Sequence, residues 1–207
     1  MKEFWNERYG SPEYVYGKEP NDYLKMKLPG LQPGRILFPA EGEGRNAVFA
    51  AQLGWEVTAF DISEEGKNKA LMLAAEKNVQ IDYQVLELDK SSFHPNEFDA
   101  IALIYAHFPA KVRGEYFRYL VSFLKEGGYI IFEGFSEQHL DYQKKFPGVG
   151  GPKDLEMLFS QIELKTAFSD FEFSEFLETE IQLNEGLFHR GTGAVIRFMA
   201  RKLPPKK

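Results

Sequence analysis

Two glycines and a carboxylate provide the first chemical signal in this chain. Gly42 and Gly44 lie within Glu41-Gly42-Glu43-Gly44-Arg45-Asn46-Ala47, and Asp61 follows nineteen residues after Gly42. A glycine has no Cβ, so a ligand can approach its backbone closely. An acid at the end of the next strand can accept both hydroxyls of a ribose. A glycine turn without a ligand is the plainest alternative. The acid at the distance expected of a nucleotide-binding unit argues against it.

The charges beside the glycines narrow the ligand. The stretch formally fits the dinucleotide fingerprint, but Glu41 and Glu43 stand where a pyrophosphate prefers positive partial charge. S-adenosylmethionine (SAM) carries a sulfonium and an ammonium and no phosphate, so carboxylates beside the loop suit it better. An NAD-dependent oxidoreductase using the same loop is the competing reading. Further along, Asp89 either accepts the adenine amino hydrogens at a third strand tip or caps the turn Asp89-Lys90-Ser91-Ser92. Tyr105 and His107 follow a fourth strand and are the catalytic candidates. His107 is either a general base titrating near neutrality or a loop anchor through a backbone hydrogen bond. Arg113 either steers an anionic substrate or is a solvated helix residue. His139 and His189 are expected on loops around the same mouth as substrate-binding candidates. With Glu133 they match no ligand spacing, so no metal is expected.

These residues need elements that bring them together. Ile36 to Phe38 and Glu56 to Phe60 read as strands flanking a helix from Asn46 to Leu53. Ser63 caps a helix running to about Lys77, and Asn78 ends it in a left-handed conformation. Ile81 to Leu88 and the apolar run Phe98 to Ile104 are the third and fourth strands. A helix containing Tyr116, Leu120 and Phe123 follows, then a turn at Glu126-Gly127-Gly128 and a fifth strand from Tyr129 to Phe132. The spacing predicts a long loop over 136–152, a helix from Asp154 to Phe168, and two strands, Glu175 to Leu183 and Ala194 to Arg201, joined as a hairpin. The expected fold is α/β: a doubly wound, mostly parallel seven-stranded sheet with a C-terminal antiparallel hairpin. Right-handed crossovers put the crevice between the tips of strands one and four. Residues 1–30, rich in aromatic side chains, are expected as a lid, 31–202 as the main domain and 203–207 as a tail. Asn21 is expected to cap a helix from Asp22 to Lys27.

Composition excludes several classes. With 207 residues and 43% hydrophobic content, one domain with a sizeable core is expected. The net charge of −6 weighs against duplex nucleic acid as a partner. There is no cysteine, hence no disulfide, no Cys-bound zinc and no thiol nucleophile. No apolar run approaches the roughly 18 residues of a membrane span. No secretory signal is read at the N-terminus, and a cytoplasmic protein, monomer or homodimer, is expected.

With these residues placed, the chain resembles the class I SAM-dependent methyltransferases, and within them the tellurite-resistance/thiopurine-type small-molecule enzymes. The stretches that carry the resemblance are Trp5-Asn6-Glu7-Arg8-Tyr9, Tyr14-Val15-Tyr16-Gly17-Lys18-Glu19-Pro20-Asn21, Glu41 to Ala47, Tyr105-Ala106-His107-Phe108-Pro109, and Asn184-Glu185-Gly186 with His189. It implies SAM as cofactor and methyl transfer to a small acceptor of soft or anionic type, such as a thiol or chalcogen. The implied cofactor set is Trp5, Tyr16, Ala40, Glu41, Gly42, Gly44, Asn46, Asp61, Ile62, Asp89 and Tyr105. Two positions depart from the superfamily: Phe38 replaces the strand-one acid and Ala40 the first glycine. Phe38 cannot accept the SAM ammonium, so Glu41, Glu43 or water is expected to. A SAM-binding module without turnover is the reading these departures keep open. No Asn-Pro-Pro-Tyr motif follows strand four, which argues against methylation of a nucleobase amine or a protein glutamine.

Overall fold

The computed structural model describes residues 1–146 and 148–204. Pro147 of the expected 136–152 loop and Pro205 to Lys207 of the expected tail lie outside the described residues. Five parallel strands form most of the sheet: β1 (Arg35–Pro39), β2 (Glu56–Asp61), β3 (Asp82–Val85), β4 (Phe98–Ile104) and β5 (Leu124–Phe135). Two long antiparallel strands complete it, β6 (Phe171–Glu185) and β7 (His189–Lys202). The strand order is β3-β2-β1-β4-β5-β7-β6, so it reverses between β1 and β4. That is the seven-stranded architecture expected from the sequence.

The apolar runs explain the layering. Ile36, Leu37 and Phe38 of β1 and Ala100 to Leu103 of β4 are buried, as a parallel sheet covered on both faces requires. Helices α2 (Asp22–Lys27), α3 (Arg45–Gln52) and α4 (Glu64–Glu76) cover one face, where Tyr23, Leu24, Phe38, Ala47 and Ala70 share a core. Helices α5 (Ala110–Phe123) and α7 (Gln161–Ala167) cover the other, around Phe117, Phe132, Phe159, Phe168 and Phe198. Helix α1 (Lys2–Tyr9) lies against α4. Asn21 caps α2 by accepting from the amides of Tyr23 and Leu24, and Ser63 caps α4 by accepting from that of Gly66.

Several boundaries differ from the sequence reading for identifiable reasons. β3 stops at Val85, and Leu88–Lys90 form a 3-10 turn, so Asp89 is an exposed turn residue beyond the strand tip. The expected turn at Glu126-Gly127-Gly128 is absorbed into β5, where Gly127 at φ 76° marks an irregularity in the pairing with β4. The expected loop over 136–152 contains helix α6 (His139–Lys145). The expected helix from Asp154 to Phe168 is divided. Asp154 caps a 3-10 turn, Phe159 bridges to Ser136, and Ser160 caps the shorter α7. β6 and β7 run through most of the expected connecting loop, leaving Gly186-Leu187-Phe188 as the turn, because each strand's ladder sustains the other.

Candidate active site

The glycine loop is built by left-handed residues. Ala40 has φ 52°, Gly42 φ 63° and Gly44 φ 84°. A Cβ on Gly42 would lie 2.6 Å from the Tyr9 hydroxyl, and one on Gly44 2.4 Å from the Ala70 Cβ. The glycines are therefore needed by the protein's own packing of α1 and α4 against the loop. Ala40 pays for the same backbone geometry with a methyl group, which costs about 1–2 kcal/mol in the left-handed region. Ala40→Gly is expected to raise stability by about 0.5–1 kcal/mol after the larger unfolded-state entropy of glycine is counted, read as a higher urea midpoint at unchanged slope.

The carboxylates around the loop have separate jobs. Glu41 Oε1 accepts from the amides of Asn46 at 2.9 Å and Ala47 at 2.8 Å, so it caps α3 in place of Gly44, which has no side chain. Asp61 accepts from the amides of Gly42 and Ser63, each at 3.0 Å, joining the tip of β2 to the loop. Tyr83 donates to the Gly42 carbonyl at 2.6 Å. Glu43 points away from the loop. Its oxygens bind Lys69 Nζ at 2.7 Å and the Val15 amide at 2.8 Å, tying the N-terminal segment down, so Glu43 is not available to an ammonium as the sequence reading allowed. Phe38 is fully buried in the core. Burial lifts Asp61 to about 6, although amide bonds from Ser63, Gly42 and Ile62 pull the other way. Burial lifts Glu41 to about 7 against the pull of the Ala47 amide, Arg45 and Asn46.

That shift sets a pH dependence. A carboxyl whose pKa is raised in the fold binds its proton more tightly there than in the unfolded chain. Its stabilising contribution is full below the ordinary value of 4.5 and is lost as pH rises toward 7. The loss amounts to about 3 kcal/mol for Glu41. His107 has the opposite slope, because burial depresses it from 6.5 to about 3 and stability falls as its imidazole is forced to charge at acid pH. The two overlap, so the informative measurement is a difference. The stability of Glu41→Gln minus that of the native chain is expected to rise between pH 4.5 and 7 and to be flat above. A flat difference throughout would show that Glu41 is ionised across that window.

Three histidines surround Phe135 beyond the tips of β4 and β5, at ring centroid distances of 5.7 Å for His107, 4.0 Å for His139 and 5.2 Å for His189. Each is already engaged. His107 Nδ1 meets the Met157 carbonyl at 2.6 Å, and Nε2 accepts from the Phe135 amide at 3.4 Å. His139 is fully buried at the start of α6, between the Gly150 carbonyl at 3.0 Å and the Ala194 amide at 3.3 Å, rather than on a rim loop. His189 Nδ1 pairs with Glu185 Oε2 at 2.9 Å, and its ring lies against Tyr16 and Tyr105. Burial holds His139 and His189 below the usual imidazole range. Arg113 is buried and clamps Glu163 through two hydrogen bonds, with Nη1 donating to the carbonyls of Phe108 and Glu156. It joins α5 to α7 instead of facing solvent.

A buried polar network closes the crevice side of α3. Asn21 Nδ2 donates to Glu133 Oε1 at 2.7 Å and Glu185 Oε1 at 3.1 Å, and the Asn21 amide donates to Asn46 Oδ1. Arg45 pairs with Glu185 at 3.1 Å. Burial alone would raise Glu185, but Arg45, His189 and Asn21 hold it down at about 2. Tyr105, at φ 52°, donates its hydroxyl to Glu133 Oε1 at 2.9 Å. A bulky residue in the left-handed region is strained, and such strain is concentrated where function needs a fixed geometry. Trp5 stacks on Tyr9 above the loop, and Tyr16 accepts a hydrogen bond from Arg8. Sequence reasoning missed Tyr9, Lys69, Tyr83, Arg45 and Arg197. The spacing of Trp5 and Tyr9, one helical turn apart, was the signal available for Tyr9.

The residues present fit a nucleoside sulfonium. A carboxylate offers about four acceptor positions, so Asp61 and Glu41 retain capacity for ribose hydroxyls and an ammonium. The loop, Trp5, Tyr9 and Tyr105 supply close backbone and aromatic surface around them. A pyrophosphate does not fit, because Glu41 already occupies the amides at the start of α3.

Residues 36–128 match the family model of a methyltransferase domain. The matched stretch is 93 of the 207 residues and runs from β1 into β5. No curated protein sequence matches the chain. Among solved structures, the chain is similar to a protein studied for conversion of a disulfide bond into a thioacetal group during echinomycin biosynthesis, with TM-score 0.77, 17% identity, and coverage of 98% of this chain and 92% of that one. It is similar to a SAM-dependent methyltransferase from Methanosarcina mazei, with TM-score 0.71, 21% identity and coverage of 90% and 100%. It is similar to TehB from Haemophilus influenzae, with TM-score 0.70, 19% identity and coverage of 97% and 66%. At these identities the structural likeness is one of fold. The matched stretch spans Gly42, Asp61 and Tyr105, and the hairpin that carries Glu185, His189 and Arg197 lies beyond it. Among the described residues, no group of three or more His, Asp or Glu is placed to hold a metal ion, and no helix is long and apolar enough to cross a membrane.

Proposed function

We propose that the enzyme methylates a small-molecule acceptor whose reacting atom is already soft or anionic, of thiol or chalcogen type, as in the tellurite-resistance/thiopurine subgroup. One observation carries this reading: His107, which follows the tip of β4, has Nδ1 at the Met157 carbonyl and Nε2 at the Phe135 amide, and both nitrogens of His139 are likewise held by backbone groups, so neither imidazole is free as a general base. SAM, when bound, supplies an electrophilic methyl on a sulfonium with a neutral thioether leaving group. An acceptor that arrives ionised then needs only positioning and exclusion of water. The similarity to a protein studied for conversion of a disulfide bond into a thioacetal group is in keeping with a sulfur acceptor.

In this reading Ala40, Glu41, Gly42, Gly44, Asn46, Asp61 and Ile62 wall the cofactor, and Asp89 borders the adenine. Trp5 and Tyr16, in a lid formed by residues 1–30, cover it. Tyr105 presents the acceptor, and His107 holds the strand tip through its backbone bonds. Arg113 and His139 support the fold around the mouth, and His189 lines it. The protein is read as a cytoplasmic monomer or homodimer with no nucleic-acid partner.

The test begins with calorimetric titration of S-adenosylhomocysteine and NADH, with binding expected only of the first. A SAM-dependent assay over thiols, selenide, tellurium oxyanions, phenols and amines follows. Thiols or chalcogens are expected to lead, with kcat/KM following the acceptor's own ionisation. A preference for amines or phenols, or a pH profile set by an enzyme imidazole, would overturn the soft-acceptor reading.

A further inference from the structure

Tyr105 holds a backbone conformation that its residue type disfavours. Among the described residues, four non-glycines have positive φ: Ala40, Asn78, Asn96 and Tyr105. Asparagine tolerates the left-handed region and alanine carries only a methyl group, whereas a bulky aromatic there is an outlier that its surroundings must enforce. One residue enforces it from two sides. The carbonyl of Glu133 accepts from the Tyr105 amide at 2.7 Å, and Glu133 Oε1 accepts from the Tyr105 hydroxyl at 2.9 Å. Burial, with the Glu133 charge beside it, holds that hydroxyl well above the ordinary phenol range. It therefore stays a donor to Glu133 and does not serve as a base.

Glu133 is itself held fast. It is 1% exposed, its Oε1 also accepts from Asn21 Nδ2 at 2.7 Å, and its Oε2 pairs with Arg197 Nη2 at 2.5 Å. Asn21 is fixed in turn, since its Oδ1 caps α2 and its amide donates to Asn46. Stability does not account for the arrangement, because apolar residues in place of a buried ion pair often leave a protein as stable or more so. Its effect falls on an aromatic wall. With Tyr105 fixed at both ends, its ring lies 4.7 Å from Phe135 and 4.7 Å from His189, and His189 lies 4.6 Å from Tyr16 of the N-terminal segment. That wall stands beyond the tip of β4, where the strand order reverses.

We propose that Glu133 is a positioning residue for methyl transfer, which acts by locking Tyr105 in the orientation that presents the acceptor. The proposal rests on the reading of Tyr105 as the residue that presents the acceptor. It assigns no proton transfer to Glu133, because both of its oxygens are occupied.

The test replaces the ion pair by apolar residues, Glu133→Leu together with Arg197→Met, so that the tether is lost and no buried charge is stranded. Asn21 keeps Glu185 as an acceptor. In the full chain labelled with 3-fluorotyrosine, the fluorine resonance of Tyr105 is identified by its loss in Tyr105→Phe. That resonance is expected to shift or broaden in the apolar pair variant, while that of the exposed Tyr119 stays in place. With 2-mercaptoethanol as the thiol, kcat is expected to fall roughly tenfold to a hundredfold while the Kd of S-adenosylhomocysteine stays within about threefold. Tyr105→Phe is expected to lose as much, and the triple variant no more than either, because residues that act as a unit are not additive. A merely structural Glu133 would instead give losses that multiply. Multiplied losses, a native kcat in Tyr105→Phe, or a Tyr105 resonance unmoved in a variant that thermal melting shows to be folded overturns the proposal. If the apolar pair unfolds the chain, Glu133→Gln carries the same measurements, since its amide sets a donor against either Arg197 or Asn21. If the native chain methylates no thiol, the soft-acceptor reading falls, and the Tyr105 resonance decides the Glu133 assignment.

Discussion

Asp61→Ala is expected to weaken S-adenosylhomocysteine binding by about a hundredfold or more. Hydrogen bonds to a charged group contribute about 1.5–3 kcal/mol each, and two ribose hydroxyls are at stake. The substitution also withdraws the acceptor from the amides of Gly42 and Ser63, which loosens the loop against β2. Each buried amide left unpaired costs about 1–3 kcal/mol. Asp61→Asn separates the two effects. Its remaining carbonyl oxygen can keep one amide, so it is expected to recover much of the melting temperature while affinity stays low. Calorimetry and thermal denaturation on the same preparations give both numbers. An Asp61→Ala protein that binds S-adenosylhomocysteine within a few-fold of the native chain would remove Asp61 from the ribose site.

Gly44→Ala is expected to be the most destabilising single methyl addition in the loop, at about 3 kcal/mol. Two causes add. The residue sits at φ 84°, where a Cβ costs about 1–2 kcal/mol. The new Cβ would also fall 2.4 Å from the Ala70 Cβ and 2.8 Å from its Cα, and overpacking of that kind typically costs about 1–3 kcal/mol. Backbone and a short side chain cannot move aside as the end of a long one would. The double variant Gly44→Ala with Ala70→Gly removes the nearer clash and keeps the φ strain. It is expected to be more stable than the sum of its single effects, because the two residues are in contact. Urea denaturation of the four proteins in the cycle measures the coupling. Strict additivity would show that the α3–α4 contact relaxes freely around Gly44.

Which parts were legible in the sequence follows from the range of the forces involved. The tips of β1, β2 and β4, the caps at Asn21 and Ser63, and the left-handed end at Asn78 depend on a residue and its near neighbours. Apolar runs of the right length then force a covered parallel sheet, and the handedness of crossovers places the reversal between β1 and β4. Glycine punctuation misled only where a neighbouring strand supplied pairing from far away, at Gly127 in β5 and at Gly191 and Gly193 in β7.

Charge partnership was decided by the tertiary structure alone. Glu41 and Glu43 are nearly identical as sequence, yet one caps α3 and the other anchors residues 15 and 16 beside Lys69. Their fates differ because the left-handed backbone of the loop sends their side chains in different directions. His107, His139 and Arg113 read as site candidates because their chemistry is versatile. The fold surrounds each with backbone carbonyls, backbone amides or a carboxylate, which leaves Arg113 a clamp between helices and the two imidazoles neutral anchors. The pairing of Glu133 with Arg197 joins residues 64 positions apart across β5 and β7. Spacing along the chain carries no information about such a pair, because the distance that determines its energy exists only once the sheet has formed.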